Sequence, residues 1–260
     1  MNITLQPLPL AILSLSAIFL VALLTLIHHA RAVGNKRPIV RRPLPALTLM
    51  RRALERGAET GRAIHVSPGS GSIGSRSSTA ATVAGLLAAE RVATEAAFNG
   101  APVLASSGDA VAHLAQRGFL RQAYVQAGFG QDYDPVNVQL LAQQDPMAYA
   151  SGVTTLYGRQ QLEASQMLGN FGEEFLLAGE VGAQLDVPQL AGATGTTPQP
   201  LIYLSCDGAL IGEEIYAAEA YLSRATAPQA RLLTQDTLRT VVIVAIVAIT
   251  VLGFFGFRFT

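Results

Sequence analysis

The residues best spaced for chemistry are Gly69-Ser70-Gly71-Ser72-Ile73-Gly74, which fit G-x-G-x-x-G and are followed by Ser77, Ser78 and Thr79. Between a strand and a helix, such glycines let backbone N–H groups approach a pyrophosphate lying on the positive end of the helix. Two features depart from that nucleotide fingerprint. The helical pattern begins only near Thr79, and the acid expected about 20 residues further on to meet a ribose has no good counterpart. Glu90 and Glu95 fall in mid-helix, and Asp109 lies too far along the chain. The sequence therefore supports a looser reading, an anion loop in which Gly69, Ser70, Gly71, Gly74, Ser78 and Thr79 hold a phosphorylated or acidic small molecule. The competing reading is a Gly/Ser connection with Ser78 as helix cap. A Walker loop is excluded, because the chain's only lysine is Lys36.

Other constellations are sparse. His65 lies in a predicted strand and His113 on a predicted helix, and neither has the spacing of a metal pair, so no metal, cofactor or catalytic set is expected. Cys206, beside Asp207 and Gly208 at the end of a predicted strand, is the one possible nucleophile, but a lone thiol there is more often a small apolar filler. Paired glutamates recur at an offset of forty residues, Glu173 and Glu174 in GNFGEEFLLAG and Glu213 and Glu214 in ALIGEEIYAAE. Acids in a first helical turn complement the partial positive charge there, which accounts for both pairs without chemistry.

The elements that must position these residues alternate. Strands are expected at Ala63–Val66, Pro102–Ala105, Val136–Ala142, Ser165–Leu168 and Leu201–Ser205. Helices are expected at Thr79–Phe98, Asp109–Ala127, Asp145–Leu162, Glu173–Gln184 and Leu210–Ser223. Residues 186–200, rich in Gly, Thr and Pro, fit neither pattern. This alternation predicts an α/β fold, a mainly parallel sheet with helices on both faces. Before it, Ala46–Glu59 carries Leu47, Met50, Leu54 and Ala58 at helical spacing, predicting an amphipathic helix that packs on its own domain or lies in a membrane interface. The helix from Thr79 is crowded with alanines, suited to close packing on its own sheet or on a second subunit.

Two apolar runs bound this domain. Leu10 to Ile27 is eighteen residues without a charge, and Thr240 to Phe257 is eighteen residues of mostly Val, Ile, Ala, Leu and Phe. At ~1.5 Å per residue each spans about 27 Å, close to the thickness of a bilayer core. No Lys or Arg precedes the first run, unlike a cleaved signal peptide. The division expected is a transmembrane anchor at 1–30, a basic Pro-rich linker at 31–45 that hugs lipid headgroups, the domain at 46–232 and a second transmembrane helix at 233–260. Arg31, Lys36, Arg37, Arg41 and Arg42 follow the first run, and Arg224, Arg231 and Arg239 precede the second. The positive-inside rule then places the domain in the cytoplasm and both termini outside, in a double-pass protein of a bacterial inner membrane. Residues 1–62 hold nine Lys/Arg against two Glu, whereas the remainder holds nine Arg against sixteen Asp/Glu. An acidic body argues against nucleic acid as a partner. One cysteine makes no internal bridge, in keeping with a reducing compartment.

The segments RRALERGAETGRAIHVSPGSG, LLAAERVATEAAFNGAPVLASSGD, LRQAYVQAGFGQDYDPVNVQLLAQQDPMAYASGV, GNFGEEFLLAGE and IGEEIYAAEAYL, within residues 46–224, resemble a family of bacterial membrane proteins with a central domain of unknown function. The resemblance implies one coherent anchored domain and carries over no site residue. Beside a hydrolase built on Cys206 or the paired glutamates, which the sequence supports least, two functions fit: first an assembly component that self-associates or docks the subunits of a membrane complex, and as its alternative a ligand-binding or sensor module using the glycine loop. Both require the bilayer as a partner, so alkaline carbonate is expected to leave the protein in the membrane pellet; release into the supernatant overturns the reading of both ends.

Overall fold

A computed structural model of the protein describes residues 10–35, 44–223 and 226–254. The chain divides into two compact units, one spanning Arg42–Leu222 and the other comprising the two ends. In the terminal unit α1 (Leu10–Asn35) packs against α9 (Thr226–Phe254). His28 ties them, its Nδ1 lying 3.1 Å from Thr234 Oγ1 and its Nε2 3.5 Å from Thr237 Oγ1. Within these helices Ser14–Val33 and Thr226–Val251 are long and apolar enough to cross a membrane by length and composition. Both helices outrun the runs of apolar residues that suggested them. Val33 to Asn35, expected in the linker, continue α1, since no proline interrupts the chain before Pro38. The rest of the expected linker, Lys36 to Pro43, lies outside the described residues. The domain boundary expected at residue 232 falls inside α9, which starts at Thr226.

The larger unit holds α2 (Pro45–Thr60), β1 (Ala63–Gly69), α3 (Thr79–Asn99), β2 (Val103–Ser107), α4 (Ala110–Gln126), β3 (Val138–Leu140), α5 (Pro146–Arg159), β4 (Leu162–Asn170), α6 (Phe175–Gln184), β5 (Gln189–Ala193), α7 (Pro198–Ser205), β6 (Gly208–Ile211) and α8 (Glu214–Leu222). The strands form one sheet in the order β3-β2-β1-β4-β5-β6, with every neighbouring pair parallel. Alternation along the strands feeds two cores. Ile64, Val66, Ala164 and Leu168 face α2, α3 and α8, while Leu104, Met167 and Ala191 face α5, α6 and α7. β1 is therefore covered on both sides and sits centrally, with Ile64 in register with Val103 and Val66 with Gln166.

Two expectations fail near the carboxyl end. Leu201–Ser205 is the end of helix α7, not a strand, because Pro198 and Pro200 favour a helical first turn and the apolar run has two faces: Ile202 is 1% exposed but Tyr203 and Leu204 are 70% and 82% exposed. The expected helix from Leu210 starts instead with edge strand β6, and α8 begins only at Glu214. The last central strand is β5, inside the stretch that fitted no pattern; small residues Ala191, Gly192 and Ala193 carry little period of their own. Elsewhere strand and helix positions agree within a few residues. α2 turns Leu47, Met50, Ala53 and Leu54 into its own domain, and the alanines of α3 from Ala81 to Ala97 are likewise buried, whereas Ala80 in its first turn is exposed.

α3 can lie this close because of Gly85. A Cβ there would run into the carbonyl oxygen of Leu168 and approach Pro68 Cα at 3.1 Å, whereas nothing lies within 4 Å of the corresponding position at Gly118 in α4. Alanine in a helix interior is worth up to ~1 kcal/mol over glycine where space allows, but overpacking costs about 1–3 kcal/mol. Thermal melts in mild detergent should show Gly85→Ala lowering the midpoint and Gly118→Ala raising it.

Candidate functional site

The sheet order reverses between β1 and β4, so the connections leaving those strands diverge to opposite faces at their carboxyl ends, the place where open α/β sheets form a crevice. The glycine loop forms one wall. Gly69 has φ +96° and its Cβ would strike the carbonyl oxygen of Asn170; at Gly71 a Cβ would come 2.5 Å from that of Asn170. Both glycines thus let the loop lie against the end of β4, and Gly74, at φ +108°, turns the chain away again. Of the predicted hydroxyls only Ser70 reaches across the crevice. Ser78 holds the N-cap position of α3, as expected, yet its Oγ donates to Ser72 O (2.7 Å) instead of accepting from the helix. Thr79 Oγ1 accepts from Gly74 N at 2.9 Å and donates to Ser75 O at 2.5 Å. These two residues fasten the loop to itself.

The opposite wall is the turn from β4 to α6. Glu174, 5% exposed, folds back so that both carboxylate oxygens accept from Gly172 N–H, at 2.9 and 3.0 Å. Its Oε1 also accepts from Ser70 Oγ at 2.7 Å. A third side comes from the turn after β2, where Gly108 N–H donates to Gly69 O at 3.0 Å and a Cβ on Gly108 would be 2.8 Å from Ser70 Cα. Asp109 follows β2 directly, the place where dinucleotide folds put their ribose acid. Here its Oδ2 caps α4 through Ala112 N–H at 3.0 Å, and the residue is buried.

Beneath the crevice runs a buried chain of polar side chains. His65, on β1, bridges its neighbours in the sheet, with Nδ1 2.8 Å from Ser165 Oγ on β4 and Nε2 2.8 Å from Ser106 Oγ on β2. Tyr157 O–H donates to Ser165 Oγ at 2.6 Å, so that hydroxyl joins the tyrosine to the imidazole. Tyr149, one helical face along α5, bonds Ser67 Oγ, and that hydroxyl donates to Ser106 O at 2.8 Å. Burial lowers the His65 pKa to about 3, raises that of Tyr149 to about 12 and pushes Tyr157 higher still, so all three are neutral at pH 7. Sequence spacing gives no hint of this cluster, since its members come from four elements.

The remaining candidates stay apart from the crevice. His113 lies on α4, as expected, and burial and Arg117 lower its pKa. Cys206 sits between α7 and β6, not at the end of a strand; burial raises its thiol to about 12, which favours the protonated form at neutral pH. It lines a cleft of about 300 Å³ with Asp186, Pro188 and Asp207. Glu214 repeats the fold-back of Glu174, its Oε2 accepting from Ile211 N–H at 3.2 Å. Among the described residues no three His, Cys, Asp or Glu side chains gather as a metal site. General acid–base work needs a proton carrier within reach of substrate, and His65 is sealed from solvent. The polar groups gathered at these strand ends are backbone N–H groups, Ser70 and Glu174. The recurring GEE segment already marked Glu174 as a helix-start acid; its crossing to Ser70 was not foreseeable from spacing.

A family model described as a domain of unknown function, DUF6754, matches residues 6–260. No curated protein and no solved structure matches the chain.

The unfolded His65 takes up a proton below about pH 6.5, but the folded one only near 3. Its contribution to stability is therefore complete above pH ~6.5 and is lost as pH falls through the window below, by up to ~1.4 kcal/mol per unit. Melting midpoints between pH 7 and 4 should decline for the wild type, and His65→Asn, less stable at pH 7, should flatten that decline.

Proposed function

Because the chain belongs to the DUF6754 family, whose domain has no assigned function, its role must be argued from the molecule, and we propose a membrane-anchored ligand-binding or sensor module. The observation that supports this over other roles is the coincidence of the glycine loop with the strand-order reversal, where open α/β sheets bind ligands. Sequence alone placed a structural role ahead of ligand binding; the strand order is the observation that supports the reverse ranking proposed here. The ligand is a phosphorylated or acidic small molecule, held by the hydroxyl of Ser70 and by N–H groups of the glycine loop other than those of Gly69 and Gly74, which donate to Ser67 and Thr79.

In this reading α1 and α9 are the anchors. Leu15, Ile18 and Phe19 on α1 and Val241 to Val244 on α9 are exposed, apolar surface of a kind that water does not tolerate over such lengths. The charge pattern beside them supports a cytoplasmic domain with both termini outside, in a bacterial inner membrane. A second reading, assembly with copies of itself or with other membrane subunits, draws support from the apolar face of α6 and α7, where Leu176, Leu177, Leu185, Tyr203 and Leu204 are exposed.

Thermal-shift screening of the protein in mild detergent against nucleotides and sugar phosphates tests the first reading. At least one such ligand should raise the melting midpoint, and Gly71→Val, which drives a side chain into Asn170, should abolish the shift. A screen without any hit, together with a measured mass of several copies, would favour assembly instead.

A further inference from the structure

Glu174 behaves unlike an ordinary acid at the start of a helix. It stands at the N-cap position of α6, yet its carboxylate makes no capping bond to that helix. It turns instead toward the crevice, where it meets donors from two loops, Gly172 N–H on its own turn and Ser70 Oγ–H on the glycine loop. Gly172 is required for this, since a Cβ there would lie 2.6 Å from Oε2. A carboxylate that is buried, fold-back and bound by one N–H and one hydroxyl is an oxyanion seated in an oxyanion site. The protein thus supplies, from its own chain, the kind of group that the crevice is proposed to bind.

We infer that Glu174 is a built-in competitor for the anion site. Its carboxylate holds the donors between the glycine loop and the β4–α6 turn, so an anionic ligand binds by displacing it, and the contact Ser70–Glu174 keeps the site closed until then. The inference rests on the ligand-binding reading proposed above and adds a control to it. Two like charges cannot share donors so close together, so displacement means rotation of Glu174 about its side-chain bonds into solvent beside exposed Glu173. Loss of the charge at Glu174 then strengthens anion binding, although it removes two or three hydrogen bonds from the resting fold.

The test is isothermal titration of the full-length protein in mild detergent with inorganic phosphate and with adenosine monophosphate. Glu174→Gln and Glu174→Ala are each expected to bind at least tenfold more tightly than the wild type, with melting curves showing that they fold. Equal or weaker affinity in a folded variant, while the wild type binds, overturns the competitor and leaves the crevice as a ligand site. No binding by the wild type or either variant overturns both. Should neither variant fold, Gly172→Ala decides: its Cβ would crowd Glu174 Oε2, so it is expected to bind phosphate at least tenfold more tightly than the wild type, and equal or weaker affinity overturns the inference.

Discussion

A parallel sheet must be covered on both faces, and that single constraint organises the larger unit. Parallel neighbours cannot be joined by tight turns, so each connection carries a helix across one face. The helices after β1 and β2 cover one side, and α5, α6 and α7 cover the other. The chain therefore changes sides between β3 and β4, and the strand order reverses beside β1. The crevice is a consequence of this reversal, not an added feature. Glycines at 69, 71 and 108 follow from it too, because three connections leave neighbouring strand ends within van der Waals reach of one another.

Central burial also explains the polar chain through His65. A strand covered on both faces has no solvent for its side chains, so a polar residue there must find partners inside. β1 offers Ser67 and His65 to one face, and Ser106, Ser165, Tyr149 and Tyr157 satisfy them from the neighbouring strands and α5. An imidazole kept neutral by burial is here a structural tie between three strands. Its rigidity reaches Gly69, whose N–H donates to Ser67 Oγ at 3.2 Å, so the base of the glycine loop is fixed by the same network. Ser70, one residue further, is where the fixed floor ends and the contact with Glu174 begins.

The ends of the chain obey a different rule. α1 and α9 bury little of their apolar surface, and a polar tie between them runs from His28 to Thr234 and Thr237. Backbone groups inside a helix satisfy one another, which is what a bilayer core demands. Both helices continue past their apolar runs into polar sequence, since nothing in that sequence breaks them: α1 to Asn35, and α9 from Thr226.

Periodicity made much of this legible. α2 and α3 declared themselves by apolar spacing, β1 and β2 by short apolar runs, and the two end helices by length. The strand and helix near residues 186–211 did not, because a four- or five-residue run of small or aliphatic residues fits a strand and a helix turn equally well. The glycine loop was readable, with Ser78 and Thr79 at the start of α3, but not the roles of those hydroxyls. Asp109 looked too distant from the loop because residues were counted, whereas the 21-residue length of α3 returns it to the end of the adjacent strand. Sequence by itself determined the helices and strands up to about residue 185 and which ends were apolar, because those depend on neighbours a few residues apart. Only the tertiary structure decided which strands adjoin, that Glu174 meets Ser70 and that His65 joins Ser106 to Ser165. Those contacts bridge 41 to 104 residues of chain, and no local pattern encodes a partner that far away.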